Sequence, residues 1–80
     1  MPYQTINDLP HRVKDHLPMH AQRIFLETFN NAWEEYGQPG KLPQGSSLEE
    51  IAYKVAWAAV GHRYEKDDNS DFWREKTGSR

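Results

Sequence analysis

Histidines are the residues with the clearest potential for metal chemistry in this 80-residue sequence, and four are present. His16 and His20 are four positions apart, a spacing that would place two imidazoles on one helix face. Pro18 lies between them, however, and is expected to break the helix there. A structural zinc site needs four ligands, and the chain has no cysteine to supply the others. We therefore interpret the histidines as capping or surface residues.

The acidic segment 67–71 begins like a calcium-binding loop, with Asp67, Asn69 and Asp71 at the first, third and fifth positions. The sixth position of such a loop requires glycine and the twelfth a glutamate, but Phe72 and Gly78 stand there. An acidic linker containing an Asx turn is the better interpretation. We expect no metal site and no cofactor, so calcium or zinc should cause only weak, unsaturable NMR shifts near residues 67–71.

Catalytic residues are not evident in the sequence. Ser46 and Ser47 directly precede a predicted helix and are explained as caps. The glutamates at 34, 35, 49 and 50 have solvent-side or capping positions, whereas acid–base catalysis needs a carboxyl group in an apolar pocket. The glycines of residues 37–45 are interrupted by prolines and no Gly-Lys-Ser/Thr follows them. We predict that the protein is not an enzyme and has no catalytic residues.

Two kinds of binding module are left open by the charge distribution. The formal net charge is −2, and the basic residues are scattered among acidic ones: Arg12, Lys14, Arg23, Lys54 and Arg63. A nucleic-acid-binding domain usually has a strongly basic face, and its binding weakens steeply with salt. We therefore favour a regulatory, protein-binding module and keep a nucleic-acid-binding module as the alternative.

Prolines and apolar spacing divide the first half of the chain into two predicted helices. The first covers residues 9–16, with Asp8 as its N-cap and Pro10 in its first turn. The second covers residues 18–36, because its apolar residues recur at intervals of three and four. Gly37 is the expected C-cap of this second helix.

A loop rich in Gly and Pro, residues 37–45, separates the second helix from a third at residues 48–65. Ser47 and Glu50 have the spacing of a capping box at its start. The fold class is therefore mainly all-α, a small three-helix domain that spans residues 1–80. Its expected interior residues are Phe25, Phe29, Trp33, Ile51, Val55 and Ala59.

The two ends of the chain are expected to meet on the third helix, whose apolar arc is wider than one helix can cover. We predict a short β pairing between residues 2–5 and 71–74, and disorder for residues 74–80. The tail follows a polar, acidic stretch, so its docking should be the weakest contact of the domain. Exposed aromatic clusters mark interaction surfaces. The predicted partner surface is therefore Tyr3, Tyr64, Phe72 and Trp73.

The cellular location is predicted from features that are missing from the sequence. The N-terminus has neither the basic nor the apolar region of a signal peptide, and no apolar run approaches the ~20 residues of a membrane span. Small secreted domains usually also need disulfides. We expect a cytoplasmic protein.

The sequence contains five distinctive motifs: MPY, DLP, LPMHAQRIF, FNNAWEEY and AYKVAWAAVGHRYEK, with Trp73 near the end. They resemble the motifs of the ChaB family over nearly the whole chain. The connection at residues 37–47 departs from the family by its glycines and prolines. The resemblance implies a helical, cytosolic regulator of cation transport, named from a genetic association with the calcium–sodium/proton antiporter ChaA. It also implies that His20 and Gln22 are N-terminal capping groups of a helix. Suggested DNA binding by viral relatives accords with the nucleic-acid alternative.

Overall fold

Three α-helices, a 3₁₀ turn and a two-stranded sheet make up the part of the chain that the computed structural model describes, residues 3–70 and 72–76. This arrangement confirms the predicted three-helix fold. The elements in chain order are the 3₁₀ turn Ile6–Asp8, α1 His11–His16, α2 Met19–Tyr36, α3 Leu48–Arg63, β1 Tyr64–Lys66 and β2 Trp73–Glu75.

The start of α1 lies later than predicted, because Asp8 caps a different element. Its Oδ2 accepts hydrogen bonds from the backbone N–H groups of Gln4 and Thr5, at 3.3 and 3.2 Å. The carboxylate therefore closes the 3₁₀ turn, and the N-cap position of α1 is occupied by Pro10. The predicted capping of α1 by Asp8 is wrong for this reason.

The junction between α1 and α2 is held by Gln22. Leu17 is extended, as expected for a residue before proline, and α2 begins after Pro18. Gln22 Nε2 donates to the carbonyl oxygens of Lys14 and Leu17 at 3.2 and 2.8 Å. Gln22 therefore satisfies carbonyl groups at the C-terminal end of α1, where helices leave them unpaired. The expected N-terminal capping by Gln22 is wrong.

Two further predicted helix ends, the C-cap of α2 and the N-cap of α3, are confirmed. Gly37 is the C-cap of α2, and its N–H donates to the Trp33 carbonyl at 3.0 Å. Ser47 is the N-cap of α3, and its Oγ accepts from the Glu50 N–H at 3.1 Å. The third helix ends at Arg63, two residues before the predicted end, because Tyr64 begins a strand.

The core lies between α2 and α3, and Leu9, Val13 and Leu17, in and beside α1, complete it. The residues that α3 contributes differ from the predicted ones. Phe25 and Phe29 are buried, as expected, whereas Trp33 is half-buried. The buried side chains of α3 are Ala52, Ala56 and Val60, and the predicted Ile51, Val55 and Ala59 are all partly exposed. Small alanines let the backbone of α3 approach the two phenylalanines of α2 closely. The apolar arc of α3 alone did not distinguish these two stripes.

The short β pairing exists, but its partner strand differs from the prediction. Strands β1 and β2 are antiparallel, with Tyr64 opposite Glu75 and Lys66 opposite Trp73. The N-terminal segment is not available for pairing at Tyr3. The Tyr3 backbone N–H donates to Asn30 Oδ1 at 3.1 Å, and Asn30 Nδ2 donates to the Tyr3 carbonyl at 2.8 Å. One side-chain amide therefore binds both backbone groups that a strand would need.

The predicted disorder of residues 74–80 covers two different regions. Arg74 and Glu75 belong to β2, and the Lys76 N–H donates to the Arg63 carbonyl at 2.9 Å. Ordered structure therefore extends beyond the predicted boundary. Residues 77–80 lie outside the described residues.

Candidate functional site

Tyr3, the first residue of the predicted partner surface, is fixed on α2. Its ring lies 4.7 Å from that of Phe29, measured between centroids, and its backbone is held by Asn30. Partial burial raises the pKa of the Tyr3 hydroxyl, and the charges of Glu49 and Tyr53 act in the same direction. Tyr3 therefore packs as part of the domain and keeps only a partly exposed edge.

Tyr64 is not accessible to a partner, because only 4% of its surface is exposed. Its hydroxyl shares a hydrogen bond with Nδ1 of His20, 3.0 Å away. The bond joins the start of α2 to β1 and satisfies a polar group that burial would otherwise leave unpaired. His20 therefore binds a side chain from the other end of the domain, and the expected helix cap at His20 is wrong.

Trp73 and Phe72 follow the acidic turn and face different surroundings. The Trp73 ring packs on Trp57, with 5.3 Å between centroids, and Trp57 packs in turn on Phe25 at 5.4 Å. Phe72 is 45% exposed. A half-buried aromatic row thus links the core to β2, while Phe72 projects from it.

The structure does not join the four predicted residues into one cluster. Within residues 3–70 and 72–76, no ring contact connects any two of Tyr3, Tyr64, Phe72 and Trp73. Phe72 and the outer edge of Trp73 are the accessible apolar part of this set. Partner binding at that part stays a prediction, which amide hydrogen exchange at residues 70–74, free and with a partner added, would test.

The acidic turn uses its own oxygens to hold its shape. Asp67 Oδ1 accepts from the Asn69 N–H at 3.1 Å, and Ser70 Oγ accepts from the Phe72 N–H at 3.3 Å. The predicted Asx turn is therefore confirmed. In the described part of the chain, no three His, Cys, Asp or Glu side chains come close enough to hold a metal ion. The absence of metal binding stays a prediction.

A groove between the N-terminal segment and α2 is a concave feature that was not predicted from the sequence. It has a volume of about 410 Å³ and is lined by Thr5, Ile6, Asn7, Met19, Arg23, Leu26 and Glu27. The N-terminal segment runs back along α2 from Asn30, and the Lys14 Nζ donates to the Asn7 carbonyl at 3.2 Å. The first contact ties the N-terminal segment to α2 and the second ties Asn7 to α1, and residues 5–7 between them form the second wall.

The sequence contains a weak signal for this groove. Met19 and Leu26 are apolar but lie off the buried stripe of α2, which consists of Ala21, Phe25, Phe29 and Ala32. Met19 is 65% exposed, so this apolar side chain is not used by the core. The wall that completes the groove comes from residues 5–7, and the contact of this segment with α2 was not predictable from periodicity.

The chain matches the model of the ChaB family over residues 9–76. The chain belongs to the ChaB family. Two relatives, from Escherichia coli (strain K12) and Shigella flexneri, are named "Putative cation transport regulator ChaB". Each is 51% identical over 77 residues, which cover 96% of this chain and 100% of the relative. The resemblance that the sequence motifs indicated is therefore confirmed.

A solution NMR structure of a protein with the same name has the same fold. It is 50% identical, with a TM-score of 0.79, and the match covers 95% of this chain and all of that one. The family name supports a regulatory role and gives no support to the nucleic-acid alternative, whose basic residues are distributed over three helices. Among the described helices, none has the length and apolar character needed to cross a membrane.

Proposed function

We propose that this chain is a non-catalytic, cytoplasmic regulator that binds a membrane cation/proton antiporter and changes its transport rate. The observation that carries the proposal is the match to proteins named as cation transport regulators, 51% identical over their full length. A protein of this kind can act only if it binds two states of the transporter with different affinity, because equal binding shifts no equilibrium.

Two exposed apolar features of the described surface support binding to another protein. Phe72 projects beside the hairpin, and Met19 lies at the groove along α2. Exposed apolar side chains mark interaction sites where they extend a larger apolar surface. Phe72 adjoins Trp73 in the chain, and Met19 lines the groove together with Ile6 and Leu26. The predicted contact surface around Tyr3, Phe72 and Trp73 remains one of the two candidate places.

Transport by a purified antiporter in proteoliposomes tests the proposal. The calcium–sodium/proton antiporter of the source cell would be reconstituted, and cation-driven proton flux would be measured while this protein is added at the cytoplasmic face. We expect a saturable change in flux. The control is Phe25→Asp, which places a charge at a position of 0% exposure and should unfold the domain. Unchanged flux together with no detectable binding would refute the proposal.

A further inference from the structure

The groove beside α2 is open to solvent and has a partly apolar lining. Ile6 and Leu26 form its apolar lining, and Met19 at one end is 65% exposed. A methionine side chain is flexible and polarizable, so it adapts to apolar partners of different shape. The volume of about 410 Å³ lies within the ~300–1,000 Å³ typical of binding pockets.

The walls of the groove decide which kind of peptide fits. A strand cannot be added, because the walls are a 3₁₀ turn and α2 and have no sheet edge. A polyproline segment needs an aromatic-lined groove, and none of the seven lining residues is aromatic. Phosphopeptides need a cluster of arginines, whereas Arg23 is accompanied by Glu27. Of the recurring peptide-binding modes, the binding of an amphipathic helix fits best, since such a helix can offer apolar residues to Ile6, Met19 and Leu26 and charged residues to Arg23 and Glu27.

The charges at the groove define the complementary partner. Arg23 and Glu27 are exposed and one helical turn apart, and neither forms an ion pair with any other residue that the structure describes. The α2 wall from Met19 to Glu27 rises about 12 Å, which is about two turns. A partner helix of two turns therefore has room for apolar anchors at i and i+4, with an acidic residue facing Arg23 and a basic one facing Glu27.

We propose that this groove binds an amphipathic helix of the antiporter, from a cytoplasmic segment with that charge order. The proposal rests on the proposed function, since it names the contact by which the regulator would recognise its transporter. Electrostatic complementarity of this kind fixes orientation and partner choice more than affinity. The apolar contact with Met19 is accordingly the main source of binding energy.

Binding of the full chain to the detergent-solubilised calcium–sodium/proton antiporter tests the groove. Met19→Glu should weaken the affinity about tenfold or more, because a charge would face the apolar anchors. The exchange Arg23→Glu with Glu27→Arg keeps the net charge, and we expect roughly fivefold weaker binding because the charge order is reversed. Circular dichroism and urea unfolding would verify that each variant folds, as expected for exposed positions.

Phe72→Glu tests the competing contact at the hairpin. Ala58→Glu is the matched control, since it places the same charge on an exposed residue of α3 that does not line the groove. It should change the affinity by less than about twofold. The reverse pattern, with Phe72→Glu disruptive and Met19→Glu neutral, would overturn the groove proposal and place the contact at the hairpin. Unchanged binding by all variants would also overturn it but leave the proposed function intact. Failure of the wild-type chain to bind would refute both.

A photo-crosslinker gives a direct readout of the bound segment. Benzoylphenylalanine at Met19 should cross-link to an antiporter peptide with apolar residues spaced three to four apart, identified by mass spectrometry. The same group at Lys54, an exposed residue of α3, should give no such product. Equal cross-linking from both positions, or cross-linking to an extended segment, would contradict the proposal.

Discussion

Trp57 connects more aromatic rings than its half-buried position would suggest. Its ring lies 5.4 Å from Phe25, 6.2 Å from Tyr53 and 5.3 Å from Trp73, between centroids. A fully buried aromatic costs about 3–5 kcal/mol on replacement by alanine. We expect Trp57→Ala to lower the free energy of unfolding by about 2–3 kcal/mol, because part of the ring is already in water. Urea titration measures this loss.

The control for Trp57 is Phe72→Ala, which should change the free energy of unfolding by less than about 0.5 kcal/mol because Phe72 is an exposed residue. A loss below about 1 kcal/mol for Trp57→Ala would show that its ring contacts do not stabilise the fold. Trp57 would then be a candidate contact residue for the partner.

The hydroxyl of Tyr3 makes stability depend on alkaline pH. Its pKa in the folded protein is raised, first by burial and then by Glu49 and Tyr53, above an ordinary value of 10.0. The folded state thus retains the proton more strongly, and this contribution is complete below pH 10 and lost as pH rises through the folded pKa. Between pH 9 and 11.5, stability should fall more in the wild type than in Tyr3→Phe. Parallel urea-unfolding profiles would contradict this explanation.

Helix α3 contains a glycine that the fold does not require. A Cβ at Gly61 would meet no atom within 4 Å apart from the neighbouring residues and backbone of its own helix, and Gly61 lies inside α3. Alanine there should raise the free energy of unfolding by about 0.5–1 kcal/mol, because glycine has more conformational freedom to lose on folding. Thermal unfolding with circular dichroism detection would measure the change.

The matched control for Gly61 is Gly37 at the end of α2. A Cβ at Gly37 would lie 2.8 Å from the Trp33 carbonyl oxygen, a backbone atom that cannot move away easily. We therefore expect Gly37→Ala to destabilise the protein. If Gly61→Ala and Gly37→Ala stabilised the protein equally, the loss of glycine's conformational freedom in the unfolded chain would outweigh the contact between Cβ and the Trp33 carbonyl oxygen. That contact would then be relieved without a cost in stability.

At the scale of the whole molecule, metal binding can be tested by NMR, because a titration follows the backbone amide signals of the whole chain together. Among the residues that the structure describes, no three His, Cys, Asp or Glu side chains come close enough to hold a metal ion. In the acidic turn, Asp67 Oδ1 and Ser70 Oγ accept hydrogen bonds from backbone N–H groups. Titration with calcium or zinc should leave the amide NMR spectrum unchanged, apart from weak, unsaturable shifts near residues 67–71. A saturating shift at micromolar metal would contradict this prediction and make cation binding a property of the chain itself.

The helices and most of their first and last residues could be predicted from local signals in the sequence. Pro18 and Gly37 bound α2, Ser47 begins α3, and the buried phenylalanines follow the helical period. These signals act within a few residues, through fixed backbone angles and capping hydrogen bonds. The family could also be recognised from sequence motifs, and the chain is 51% identical to relatives from that family over 77 residues.

Tertiary structure alone decided which surfaces remain free. The apolar arc of α3 was compatible with two stripes, and the approach of Phe25 and Phe29 selected the alanine stripe. Asn30 bound Tyr3 across 27 positions of sequence and thereby directed the N-terminal segment along α2. Such contacts depend on side-chain packing and on hydrogen bonds between distant residues, which periodicity does not encode. The groove with Met19 exists for that reason, whereas its apolar residues were visible in the sequence from the start.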